Sequence, residues 1–377
     1  MTPRDVPGGR PEARHGSAPS GAPGTRPGPV LVLGGTAWLG RLVAEGLRDR
    51  GHPVTVLARG RSGPAPAGVE VVHADRDDPG ALDGVADRAW TAVVDLTSTP
   101  SHARSAAAAL AGRSAHVVVV SSVSVYADTS VVGADERAAT VPATDDAGYA
   151  AAKVAVEDAW RSATPAVTVL RAGLLGGPGD ESGRSGWWPW RLGRGGRLPV
   201  PDAPSPTQLL DVRDLADLVV RLVGRGASGA RGAGGVLDVV GPVVPLADHL
   251  AVAREVAAAG RTPGARPAAV ADEATAERRE PGTGVGVGAE LVPVASADLL
   301  AAGVQPWAGP CSLPLWVPGA DHAGFASRSG AAARASGLVT RPLAETLTDV
   351  LAWELARGDQ PRGAGLTDDE VLRALGD

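Results

Sequence analysis

Apolar residues fall along this chain in short unbroken runs, and amphipathic stretches separate them. "PVLVLGG" is such a run ending in glycine, and it predicts a buried strand over residues 29–33. "WLGRLVAEGLRDRG" follows with helical spacing and stops at Gly51. "PVTVLA" and "GVEVVHAD" predict a second and a third buried strand, residues 79–88 a helix, and "TAVVDLT" a fourth strand. The Ala-rich stretch 101–112 reads as a helix, "AHVVVVSS" as a fifth strand, 146–163 as a helix and "AVTVLRAG" as a sixth strand. Strands that take turns with helices predict a parallel sheet covered on both faces. The expected fold is therefore α/β, a Rossmann-like doubly wound parallel sheet with a smaller C-terminal substrate-binding lobe.

The chain divides by pattern. Residues 1–28, rich in Pro, Gly and Arg, are expected to be a disordered tail, and 29–182 the dinucleotide-binding Rossmann domain. After residue 172 the regularity loosens. Residues 183–357 are expected to form mostly the lobe, with 212–240 returning to the Rossmann unit. Two flexible loops are expected, 224–235 and 261–288, and 358–377 reads as a C-terminal tail with a short helix.

Composition narrows the function. Hydrophobic content of 44% and charged content of 21% describe an ordinary globular protein. A net charge of −6 argues against a general nucleic-acid binder, which carries a basic face. Cys311 is the only cysteine and the seven histidines are scattered, so neither an intrachain disulfide nor a metal site is expected. No run of about 18 apolar residues occurs and the N-terminus lacks a secretory pattern, so no membrane span and a cytoplasmic location are expected.

"GGTAWLG", residues 34–40, joins the first strand to the first helix. Gly34 and Gly40 allow a sharp turn and close approach of backbone to a pyrophosphate, with donors from the helix N-terminus. Ala37 stands where a middle glycine is usual; its methyl is tolerable at an ordinary backbone angle. Thr36, Ala37, Trp38 and Leu39 complete the expected cradle, with Thr97 at the end of the fourth strand as a further cofactor contact. The second strand ends "VLARGRS": Ala58 takes the place of the acidic residue that holds the ribose of NAD, and Arg59 and Arg61 follow. A guanidinium there suits a 2′-phosphate, which favours NADP(H) over NAD(H), although solvated arginines are an alternative. Asp75 closes the third strand, as an adenine acceptor or as a turn cap.

"YAAAK" carries the candidate chemistry. Lys153 is the only lysine and Tyr149 one of two tyrosines, and four residues apart they share a helix face. A free phenol has a pKa of about 10. An ammonium about 4 Å away favours phenolate by roughly 4 kcal/mol at an effective dielectric near 20, before solvent discounts, so the phenol is expected to fall towards 7. That suits a general acid/base working beside hydride transfer. Ser122 and Ser124, in "VVVVSSVSVY", are expected at the sheet's C-terminal edge, to bond a substrate oxygen or to close the strand-end turn.

These three motifs, in this order and spacing, resemble the short-chain dehydrogenase/reductase superfamily and, more narrowly, its extended NAD-dependent epimerase/dehydratase group. "LRAGLLGGPGD" (170–180) and "QLLDVRDLADLVV" (208–220) support the narrower likeness, which covers about residues 29–357. It implies Tyr149 as acid/base, Lys153 on the nicotinamide ribose, and Ser122, four before Tyr126, as the catalytic hydroxyl. Ser124 is then a secondary substrate contact. Val123 and Ser124 stand where the sugar 4,6-dehydratases of the group carry Asp-Glu, which disfavours elimination. The implied activity is hydride transfer at a carbonyl or alcohol carbon of a small molecule, by a reductase or an epimerase. Relatives pair through helices beside the sheet, which leaves a homodimer open. Ala37 resembles members that have lost catalysis, so the alternative is a nucleotide-sensing or RNA-associated binding protein.

On the substrate side, Trp187, Trp188 and Trp190 cluster between Arg184 and Arg191. They read equally as an aromatic wall with an anion-holding arginine or as lobe packing. Gln208 is a further candidate substrate contact, while Trp316 and Phe325 are expected to pack.

Overall fold

The computed structural model describes residues 27–145, 148–227, 234–260, 288–358 and 360–376. The expected tail up to residue 26, most of the second flexible loop (261–287) and residues 228–233 of the first lie outside the described residues.

Seven parallel strands make one sheet. They are β1 (Val30–Leu33), β2 (Val54–Ala58), β3 (Glu70–His73), β4 (Ala92–Asp95), β5 (Val117–Ser122), β6 (Val167–Ala172) and a later strand, Gly235–Val239. The order across the sheet is Gly235–Val239, β6, β5, β4, β1, β2, β3. Strand order therefore reverses between β1 and β4, the place where open α/β sheets bind ligands. β1 explains the two-sided cover. Val30 and Val32 point into a layer with α1 (Trp38–Asp49) and helix Val212–Ala227, where Val43, Leu47, Leu215 and Val219 pack. Leu31 and Leu33 point the other way, onto helices Pro100–Leu110 and Tyr149–Ala163, among Leu110, Val156 and Trp160.

Two expectations change here. The third strand is not buried: it is the sheet edge, with Glu70 and His73 exposed. The helix expected over 79–88 shrinks to Asp83–Ala86, because Gly80 at φ +81 breaks any helical run begun at Pro79.

A second core forms around Trp187, Trp188 and Trp316, between helices Trp187–Gly193, Leu246–Gly260 and Leu343–Ala356. Strand Arg197–Pro201 pairs in parallel with Glu290–Val294 beside it. The C-terminal helix Asp368–Leu375 starts with a capping box, Thr367 with Glu370.

Candidate active site

β1 delivers the chain to Gly34, whose φ of +94 turns it sharply, a conformation that glycine adopts without strain. Gly40 then lies so close that a Cβ would collide with the Gly34 carbonyl and the Gly35 Cα. Ala37 is the N-cap of α1 at φ −80 and ψ 171, an ordinary extended angle that any residue holds, so its methyl strains nothing. The first turn of α1 directs backbone donors and the positive end of the helix dipole at this spot. A groove of about 360 Å³ lies against it, and Gly34, Thr36, Ala37, Trp38, Leu39 and Gly40 form one wall. The glycine turn, the close helix and the groove fit the pyrophosphate of a dinucleotide.

The far end of the groove is charged. Ala58 closes β2 there, and Arg59 and Arg61 stand 3.8 and 4.0 Å from the Asp75 carboxylate. Asp75 also accepts from the Asp77 amide at 3.3 Å, so it serves as turn residue and shared counter-charge at once. Thr97 lines the same groove.

A second crevice, of about 460 Å³, shares Trp38, Leu96 and Val120 with the groove. Ser122, Tyr149 and Lys153 meet in it. Ser122 ends β5, and its hydroxyl accepts from the Ser124 amide at 3.1 Å and donates to the Ser124 hydroxyl at 3.1 Å. It thus closes the strand-end turn and faces the crevice too. Tyr149 opens its helix after Gly148, which sits at φ +91, so Tyr149 and Lys153 stand one turn apart.

Their electrostatics differ from the expectation. Lys153 is 3% exposed, and its ammonium donates to the carbonyls of Thr97 at 2.8 Å and Val120 at 2.7 Å. It lies 6.0 Å from the Tyr149 ring centroid. Burial pushes Lys153 down to about 8, against the pull of the Asp95 and Glu157 carboxylates. The Tyr149 phenol is not lowered. Tyr149 keeps 54% of its surface open, yet partial desolvation still raises the phenol above its ordinary value, while the Ser122 hydroxyl and the Arg184 charge work the other way. The ammonium is committed to backbone carbonyls rather than to the phenol, and that is the physical reason.

Glu157, one further helical turn along, anchors this helix. Its carboxylate accepts from Ser121 at 2.6 Å and from Arg171 at 3.0 and 2.7 Å, all three residues buried. Tyr126 is buried as well and donates to Asp238 at 2.6 Å.

The substrate side corrects the sequence reading. Trp187 and Trp188 are 1% and 0% exposed, lie in the second core and do not line the crevice. Trp188 donates to the Pro314 carbonyl at 2.7 Å. Trp187 fills the space over Gly365, so the pair holds the fold rather than a ligand. Arg184, Ser124 and Gln208 do line the crevice. The Gln208 amide is engaged at both ends by the Arg328 backbone, at 2.7 and 3.0 Å. The aromatic wall comes instead from Trp307 and from Phe325, which was expected only to pack. Phe325 is the only phenylalanine of the chain, and the rarity that flagged Lys153 could have flagged it.

The model of the NAD dependent epimerase/dehydratase family matches residues 30–234. Among solved structures, a Burkholderia cenocepacia J2315 protein provisionally named an epimerase is similar at 22% identity and TM-score 0.60, over 88% of this chain and 100% of that one. UDP-N-acetylglucosamine 4-epimerase from Bacillus cereus follows at 16% identity and TM-score 0.57, over 88% and 99%. The Bordetella bronchiseptica enzyme WbmH in complex with NAD+ shares 16% identity with TM-score 0.54, over 87% and 99%. At these identities the likeness is one of fold. A search of curated protein sequences found no match. Among the described residues no helix is long and apolar enough to cross a membrane.

Proposed function

This chain belongs to the NAD dependent epimerase/dehydratase family, and from that premise we propose that it is a nicotinamide-dependent enzyme moving hydride at a carbonyl/alcohol carbon, as a reductase or an epimerase. The observation that carries this reading is the meeting of Tyr149, Ser122 and Lys153 in one crevice that adjoins the glycine-turn groove. A phenol, with an ordinary pKa of about 10, keeps its proton at neutral pH and is ready to give it to an oxygen gaining negative charge. Ser122 supplies a second donor to the same oxygen. Lys153, at the junction of groove and crevice, holds the sheet edge on which both depend and offers its remaining proton to the dinucleotide. A dinucleotide held by the groove residues would supply or accept the hydride at the crevice.

NADP(H) is the proposed form. Ala58 leaves the end of β2 without a carboxylate, and Arg59 and Arg61 stand at the groove as phosphate partners. Ala37, at its ordinary backbone angle, no longer argues for a non-catalytic binder.

The test is NADPH oxidation scanned across carbonyl compounds, with Tyr149→Phe as the control. We expect the variant to keep dinucleotide binding and to lose about 10²–10⁴-fold in turnover. Equal turnover by the variant would remove Tyr149 from the proton transfer.

A further inference from the structure

Several polar side chains of the crevice are already committed to protein partners. Among its lining residues there is no carboxylate and no asparagine. Ser121 donates to buried Glu157 at 2.6 Å, and both ends of the Gln208 amide are held by backbone. A polyhydroxylated ring needs a partner for each hydroxyl, and the side-chain hydroxyls left to supply them are those of Ser98, Ser122, Ser124 and Tyr149, with no carboxylate among them.

What the crevice adds is an aromatic corner and, besides Lys153, whose ammonium is tied to two backbone carbonyls, one further cation. Trp307 and Phe325 meet edge to face, with ring centroids 4.9 Å apart and planes at 87°. The Arg184 guanidinium lies 5.5 Å from the Trp307 centroid, steadied by the Ser182 hydroxyl at 3.0 Å, and it forms no ion pair among the described residues. Its charge is felt by the Tyr149 phenol, so an anion it held would be near the reacting oxygen. Trp307 also sits at φ +72, a left-handed backbone that a bulky residue rarely adopts. The Trp316 carbonyl, 2.9 Å from the Trp307 amide, keeps it there.

We propose that the substrate is an aromatic keto acid, or the matching hydroxy acid, and not a sugar nucleotide. Trp307 and Phe325 hold its ring, Arg184 pairs with its carboxylate, and its carbonyl meets Ser122 and Tyr149. A single guanidinium suits a single carboxylate, whereas a nucleotide-linked pyrophosphate brings two charges. The inference rests on the oxidoreductase reading only for the identity of the reacting group; ring and anion selection stand on the walls alone.

Binding therefore tests it apart from turnover. Tyr149→Phe protein, saturated with NADP+, is titrated calorimetrically with 4-oxo-4-phenylbutanoate, acetophenone and UDP-glucose. We expect saturable binding of the keto acid, at least tenfold tighter than either of the others. Adding Arg184→Gln should erase its advantage over acetophenone and leave acetophenone unchanged. Phe325→Leu should weaken both aryl compounds, and serves where a change at strained Trp307 would unfold the wall. Tighter binding of UDP-glucose, no saturable binding of the keto acid at millimolar concentration, or an advantage that survives Arg184→Gln would each overturn the proposal. If the keto acid binds yet wild-type protein never turns over any carbonyl, the inference stands and the oxidoreductase reading falls.

Discussion

Glu157→Gln changes one oxygen for an amide without opening a cavity, and it should still damage both fold and site. Glu157 and Arg171 are 1% and 4% exposed. Burial works against the Arg171 charge, but the carboxylate overcomes it and holds the guanidinium above its ordinary pKa. Arg171 and Ser121 supply only donors to that carboxylate, at 3.0, 2.7 and 2.6 Å. Glutamine would turn one acceptor into a donor facing donors and leave a buried cation uncompensated. Breaking a buried pair from one side costs about 3–5 kcal/mol. At roughly 2.1 cal/mol/K per residue, 377 residues give an unfolding entropy near 0.8 kcal/mol/K, so the melting temperature should fall by about 4–6 °C. Urea unfolding followed by circular dichroism gives the free energy directly. Replacing both partners with methionine should cost less than the single change, since no charge is then stranded. The same carboxylate raises Lys153, so its loss should shift the alkaline limb of the pH–rate profile to lower pH. A single-variant loss below about 1 kcal/mol, the value of an exposed pair, would refute the reasoning. So would a double variant as unstable as the sum of the singles.

Three further outcomes follow from the site. Lys153 sits at about 8 in the fold against 10.5 as its ordinary value, so between those pH values the unfolded chain binds more protons and stability rises with pH. Relative to Lys153→Met, the wild type should gain up to about 3 kcal/mol from pH 8 to 10.5 in denaturant titrations, and a flat difference would contradict the buried ammonium. Arg59→Ala should weaken NADPH binding by about tenfold with little change for NADH, measured by nucleotide fluorescence; the factor is modest because Arg59 is half-exposed, and an equal change for both nucleotides would argue against a 2′-phosphate contact. Gly40→Ala should abolish dinucleotide binding because its Cβ meets backbone, whereas Ala37→Gly should leave affinity unchanged and cost no stability, since glycine is the better N-cap; a gain in affinity for Ala37→Gly would show that its methyl obstructs the cradle.

The sheet was legible because its strands are continuous apolar runs: "VLVL" and "VVVVSS" lie where their pattern puts them. The edge strand was misjudged because "EVVH" reads locally like its neighbours, and only the strand order exposes it. The glycine loop, Ser122, Tyr149 and Lys153 were legible for a different reason: each needs its residue type at a fixed offset from a strand or helix end. The substrate wall was not. Trp187 and Trp188 stand next to Arg184 in sequence but turn into the second core, while Trp307 and Phe325 reach the crevice from more than a hundred residues away. Spacing along the chain carries no information about such a meeting. The pKa directions of the pair were also out of reach, because they depend on burial that only the fold creates.

Those carbonyls explain why an arginine-rich chain keeps one lysine. Pairing of β4 with β5 stops at Asp95 opposite Val119, and Lys153 reaches across the strand ends just beyond, to Thr97 and Val120. The space is almost closed, at 3% exposure, and an ammonium fits where a planar five-donor fork would force the strands apart. An ammonium has three protons, so two can fix the floor shared by groove and crevice while the third remains for a bound hydroxyl. Guanidinium also holds its proton at any working pH, whereas an amine brought down to about 8 can respond to what binds beside it. A ligand that adds negative charge or acceptors near Lys153 favours the protonated form, and one that adds positive charge disfavours it. In the proposed reading the lysine would thus link the occupancy of the groove to the proton inventory of the crevice, through the two strand ends that it ties together.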